Sequence, residues 1–181
     1  METVPFYELA QAYAKVNMPI AMKGGYVGGS PLVGDYYYGN PLSVGFREHA
    51  YDIPVMVGSV FGEFAFNPSE FDKTSLTVEE MKTIIAKVYG DHTDKIIQAF
   101  ENAYPGKNPT DLLSVDRVMR QPSKKLARLH AAGGRAKAYM YNFTLEFPFQ
   151  HGKIAWHCSD IPFFFNNTDK VEICGIPGVS D

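Results

Sequence analysis

Apolar residues recur at helical spacing in several stretches of this chain and run continuously or alternate in two others, and these rhythms divide it into helices and strands. Phe6, Leu9, Ala10 and Tyr13 behind Pro5 predict an amphipathic helix over residues 5 to 16 with proline in its first turn. The following MKGGYVGGSPLVGDYYYGNP, residues 22 to 41, is dense in Gly, Pro and Tyr and predicts turns with one short strand at most. It holds neither GK[ST] nor GxGxxG, so its glycines read as turn chemistry rather than a phosphate loop.

Asp52-Ile-Pro-Val-Met-Val-Gly58 is a short apolar run bounded by Pro and Gly, the pattern of a strand buried on both faces in a parallel sheet. Thr77-x-x-Glu80 ahead of Val78, Met81, Ile85 and Val88, with Gly90 as the stop, predicts a helix opened by a capping box. Two further helical patterns span Thr93 to Ala103 and Thr110 to Ala132, the second kinked or broken by Pro122 and closed by Gly133-Gly134. Ala136 to Phe143, rich in aromatics, predicts a second strand. Strand, helices, strand is a crossover, so the expected class is α/β with few parallel strands and several helices. Two parallel strands cannot bury a sheet by themselves, and part of the sheet is therefore expected to lie outside this set of residues.

Charge and composition narrow the function classes. With 181 residues and a net charge of −3, the chain shows no basic footprint for nucleic acid. Arg120, Lys124, Lys125 and Arg128 read as a solvated helix face. The N-terminus carries neither a signal peptide nor a membrane span, so no membrane association and a cytoplasmic location are expected. Cys158 and Cys174 read as thiols, Cys158 as a buried structural one.

Chemistry collects beyond the carboxyl ends of strands in open α/β sheets, and Glu63 and His157 both fall there. An acid that accepts a proton from one imidazole nitrogen leaves the other free as a base. Read alone, Glu63 fits a solvated loop carboxylate slightly better than such an acid, and His157 fits a histidine capping an aromatic strand as well as such a base. Cys158 beside His157 is a poor nucleophile, because adjacent side chains diverge. His151, His157, Cys158 and Asp160 lack a recognised ligand spacing, so neither a metal nor another cofactor is expected. His49, His92 and His130 read as solvent-exposed. None of the nine serines lies in GxSxG or SxxK, so two triad roles are present without the third.

Asp52-Ile-Pro-Val-Met-Val-Gly-Ser-Val-Phe-Gly-Glu63-Phe, Ala138-Tyr-Met-Tyr-Asn-Phe143 and Trp156-His157-Cys-Ser-Asp160-Ile-Pro-Phe-Phe-Phe165 together resemble the C-terminal part of the type-B carboxylesterases. These are the branch of the α/β-hydrolases that includes the cholinesterases and bacterial para-nitrobenzyl esterases. The resemblance covers nearly the whole chain. It implies one segment, residues 1 to 181, from the C-terminal part of an α/β-hydrolase fold, with the nucleophile elbow in an absent N-terminal portion. It implies a Ser-His-Glu esterase in which Glu63 is the acid and His157 the base. Ser59, Gly62 and Phe64 depart from the family pattern around the acid; Cys158 and Asp160 stand where the family usually has Gly and Glu. Ser59 and Asp160 are then supporting residues, and Phe61, Phe64, Phe66 and Trp156 candidates to line an apolar substrate pocket. The expected partners are a small-molecule ester in the complete enzyme and, for this chain, a complementing N-terminal portion or a second copy. The rival expectation is a non-catalytic esterase-like module that uses its open sheet edge to bind a partner.

Overall fold

The computed structural model describes residues 3–23, 31–66 and 71–179, and the chain divides into two compact units, Met1–Val44 and Gly45–Asp181. In the first, helix α1 spans Phe6–Ala21, five residues beyond the predicted end, with Pro5 at its N-cap and Pro19 inside its last turns. None of its side chains is buried. A four-residue helix, α2 (Pro41–Val44), follows Asn40, whose side chain accepts the Leu42 amide at 2.9 Å. The glycine-dense residues 24 to 30, with Ser30, lie outside the described residues, and the rest of that stretch forms turns and no strand.

The second unit is built on strand β1 (Val55–Val60), which pairs in parallel with β2 (Ala138–Phe143), Val55 opposite Ala138 and Val60 opposite Phe143. Between them lie α3 (Val78–Tyr89), α4 (Thr93–Ala103), a 3-10 turn (Pro109–Ser114) and α5 (Arg120–Ala132). Thr77 and Glu80 form the predicted capping box, which satisfies donors that the first turn of α3 would otherwise orphan. After β2 come a short antiparallel pair, β3 (Glu146–Phe147) and β4 (Lys153–Ile154), and a single turn of helix, α6 (Ile161–Phe164). Among the described residues the main sheet holds only β1 and β2. Expected to be buried on both faces, β1 is buried only at Ser59 and Val60, and Met56 is 62% exposed, so the start of the strand is open on the face that carries Met56.

The stretch from Thr110 to Ala132 is two elements. The chain leaves the 3-10 turn, and the Asp116 carboxylate gathers the amides of Val118, Met119 and Arg120 at 2.6–3.0 Å to start α5 anew. Pro122 then sits in the first turn of α5, where an amide has no intrahelical acceptor, so it opens the helix instead of kinking it.

Two aromatic clusters hold this unit. One joins Val60, Phe61, Ile85, Phe100, Leu112, Ile154 and Ala155; the other sets Phe147, Cys174 and Val179 against Trp156, Phe149 and Phe163. Phe61 is fully buried with its ring edge-on to Phe100 and Tyr104, a burial that stabilises by about 1.5–3 kcal/mol. His130, expected at the surface, is 1% exposed: it packs edge-on to Phe46, and its Nε2 donates to the Ala50 carbonyl at 3.0 Å. His49 and His92 are exposed. Among the described residues no helix is long and apolar enough to cross a membrane.

Candidate active site

The turn after β1 and the turn after β4 meet because their backbones are locked together. Phe61 donates its amide to the Phe143 carbonyl at 2.9 Å, and Gly62 donates to Ala155 at 2.9 Å. Gly62 permits that approach, since a Cβ there would stand 2.7 Å from Ile154 Cδ1 and 2.9 Å from the Ser114 carbonyl. Next in the chain, Glu63 accepts the His157 amide on its carbonyl at 3.1 Å, while its carboxylate Oε1 hydrogen-bonds His157 Nδ1.

The two partners sit in different environments. Glu63 is 7% exposed, whereas 51% of the His157 side chain is accessible. With Nδ1 facing a carboxylate, the neutral ring carries its proton on Nδ1 and presents Nε2 as the free base. Nε2 has no hydrogen-bond partner among the described residues. The arrangement can therefore take and return a proton on the open side of the imidazole, with the imidazolium stabilised from behind.

The aromatic candidates separate into two groups. Phe66 lies edge-on to His157 with ring centroids 6.1 Å apart, and Phe64 packs against Phe66 at 6.2 Å. Both are more than half exposed. Phe64 also borders a depression of about 290 Å³ whose lining is mixed, Leu113, Val115 and Val118 alternating with Ser114, Asp116 and Arg117. Phe61 and Trp156, by contrast, pack away from the dyad, Phe61 fully buried and Trp156 half-buried. Phe61 is core, and the Trp156 ring lies 4.9 Å from Phe147 in the second aromatic cluster.

Ser59 is 5% exposed on β1, opposite Asn142, and its hydroxyl has no hydrogen-bond partner among the described residues. Asp160 accepts the Tyr141 hydroxyl at 2.9 Å. Cys158 is exposed rather than buried, and its backbone is left-handed with φ of +66°. That conformation costs a residue with a Cβ and suits glycine, which gives a physical reason for Gly at this position in the resembled family. Cys174 is buried, and burial pushes its thiol pKa up. Among the described residues no three His, Cys, Asp or Glu side chains gather as a metal site.

Three supporting groups escape a reading by spacing. Arg120 is not part of a solvated face: its guanidinium donates to the Phe61 carbonyl at 3.1 Å and to Asn142 Oδ1 at 3.2 Å, bracing the turn before Glu63. Asp116 receives an α5 N-terminus and donates its own amide to the same Phe61 carbonyl at 2.8 Å; its Asp-then-helix pattern was the available signal. Lys73, 4% exposed, pairs with Asp111 at 2.8 Å and Glu146 at 3.1 Å, tying the segment after Glu63 to β3.

No family model and no curated protein matches the sequence. A solved structure does. The chain is similar to an esterase from the anaerobe Clostridium hathewayi described as able to hydrolyse aliphatic aromatic polyesters, with 49% identity and a TM-score of 0.90 over 99% of this chain. The chain spans 36% of that esterase's length, so the similarity covers one portion of that protein.

Proposed function

We propose that the Glu63–His157 pair is the acid and base of a serine carboxylic-ester hydrolase of the type-B carboxylesterase kind, whose nucleophile and oxyanion donors come from outside residues 1 to 181. The observation that carries this reading is the hydrogen bond from His157 Nδ1 to a buried carboxylate 94 residues earlier, with half of the imidazole left open. His157 Nε2 takes the proton of the serine hydroxyl as its oxygen attacks the ester carbonyl. It then delivers that proton to the leaving alcohol, giving an acyl-enzyme. Water, deprotonated by the same nitrogen, releases the acid and restores the serine. Glu63 holds the Nδ1–H tautomer and stabilises the imidazolium throughout.

Esters with an apolar or aromatic part fit Phe64 and Phe66 best, the exposed rings beside His157. The polyester activity described for the matched esterase supports the same substrate class. Alone, this chain is expected not to turn over esters, for want of the nucleophile and of oxyanion donors worth roughly 10²–10³ in rate.

The test is a chimera in which residues 1 to 181 replace the matched 36% of the esterase, assayed on a para-nitrophenyl ester. Hydrolysis that is lost on His157→Ala supports the reading; hydrolysis unaffected by that change defeats it. A non-catalytic module is favoured by one observation, the exposed apolar positions Met56 and Tyr139 on the paired strands. Light scattering of the isolated chain decides whether that face recruits a second copy, a monodisperse monomer counting against it.

A further inference from the structure

The parallel register sets Gly58 of β1 beside Tyr141 of β2. A Cβ on Gly58 would stand 2.0–2.3 Å from Tyr141 Cζ, Cε1 and Cε2, so the ring lies across β1 in space that only glycine leaves. From there its hydroxyl donates to Asp160 Oδ2 at 2.9 Å, and its face packs on Phe164 with centroids 4.5 Å apart. Asp160 closes the turn that carries His157. Within that turn Ser159 donates to the Trp156 carbonyl at 2.9 Å and Ile161 to Cys158 at 3.2 Å. The Asp160 carbonyl receives the amides of Phe163 and Phe164, each at 3.1 Å.

Beyond the backbone bond from the His157 amide to the Glu63 carbonyl, which sets the distance between the turns, side chains of the described residues tie the 157–160 turn to the body of the unit at two points. One is the dyad, His157 on Glu63; the other is Tyr141 on Asp160. A side chain held at one point pivots, whereas two points fix its orientation. The dyad cannot be its own second anchor, because its hydrogen bond must survive proton transfer at His157.

We propose that Tyr141 is a positioning residue for the catalytic base: its hydroxyl holds Asp160 so that the turn presents His157 Nδ1 to Glu63. This rests on the acid–base reading above. Burial, the hydrogen bond to Asp160 and the charges of Asp160 and Glu63 push the Tyr141 pKa up to about 12. The phenol therefore remains a donor at any pH suited to ester hydrolysis.

Two readouts test it. The first uses the 181-residue chain labelled with 15N-histidine, where long-range 1H–15N correlation reports which nitrogen of neutral His157 carries the proton and His157→Ala assigns the signal. Wild type shows the Nδ1–H form. Tyr141→Phe and Asp160→Ala gain the Nε2–H form, while Asp160→Asn, which keeps an acceptor for the phenol, stays as wild type. The second readout is the chimera, in which Tyr141→Phe and Asp160→Ala lower kcat by up to about 10²-fold at little-changed KM and Asp160→Asn does not. A folded Tyr141→Phe with wild-type His157 signals and kcat overturns the proposal, as does an Asp160→Asn as damaged as Asp160→Ala. Should Tyr141→Phe fail to fold, the two Asp160 variants decide. A chimera indifferent to His157→Ala defeats the acid–base reading instead, and the histidine spectra still decide whether Tyr141 holds the turn.

Discussion

His157 and Glu63 are joined twice, once through the imidazole and carboxylate and once through the His157 amide and the Glu63 carbonyl at 3.1 Å. The backbone link sets the distance between the turns, and the side-chain link sets the ring's tautomer. Glu63→Gln leaves the first and corrupts the second. In the chimera it should lower kcat by up to about 10⁴-fold, the scale for spoiling a triad acid without moving it, with far-ultraviolet circular dichroism unchanged. A para-nitrophenyl ester assay reads the result, and near-wild-type turnover would remove Glu63 from the mechanism.

Lys73 is buried against Asp111, which is 6% exposed. Lys73→Met leaves that carboxylate uncompensated and should destabilise the chain by about 3–5 kcal/mol, whereas Lys73→Met with Asp111→Leu should recover most of the loss. Burial already raises the Asp111 pKa, and Lys73 opposes the rise. A carboxylate raised in the folded state binds its proton more tightly there, so stability falls as pH rises through its folded value. Without Lys73 the rise is larger, and the single variant should regain stability as pH drops through the carboxylate range. Urea midpoints measured across acid pH check both statements.

Cys158 holds φ at +66°. Cys158→Gly relieves a left-handed strain of about 1–2 kcal/mol while adding backbone freedom to the unfolded chain worth about 0.4–1 kcal/mol, so a net stabilisation of up to about 1.6 kcal/mol is expected. Thermal melts compare the two chains, and a lower Tm for the glycine variant would refute this account of the turn.

Tyr141 should titrate well above the ordinary phenol value, its pKa pushed up to about 12 by burial first and by Asp160 second. Because the folded value is raised, the stability it contributes is complete below the ordinary phenol range and is lost as pH climbs towards 12. In 13C-tyrosine-labelled protein the Tyr141 Cζ resonance should hold its position until pH approaches 12, and Asp160→Ala, which removes the hydrogen bond and charge but leaves the burial that is the largest cause, should lower that midpoint only in part.

Much of the local structure was legible in advance because it depends on neighbours in the chain. The Thr77–Glu80 box, the Thr93–Ala103 helix and the two strands follow from caps, periodicity and turn residues a few positions apart. The break before α5 was legible in part: Pro122 was visible, but the cap that restarts the helix is Asp116, engaged by three amides at once. Glu63 and His157 stood out through position beyond strand ends and through resemblance.

By itself, then, the sequence determined the two paired strands and most of the long helices, and that an acid and an imidazole lie beyond two strands. Only the tertiary structure decided that those two groups meet, that Phe61 turns into the core and Trp156 packs on Phe147 while Phe66 stays beside His157 with Phe64 against it, and that Tyr141 reaches Asp160 over Gly58. Most of those facts are distances between residues far apart in the chain. Such distances are set by strand register and by packing of whole elements, which no local pattern encodes.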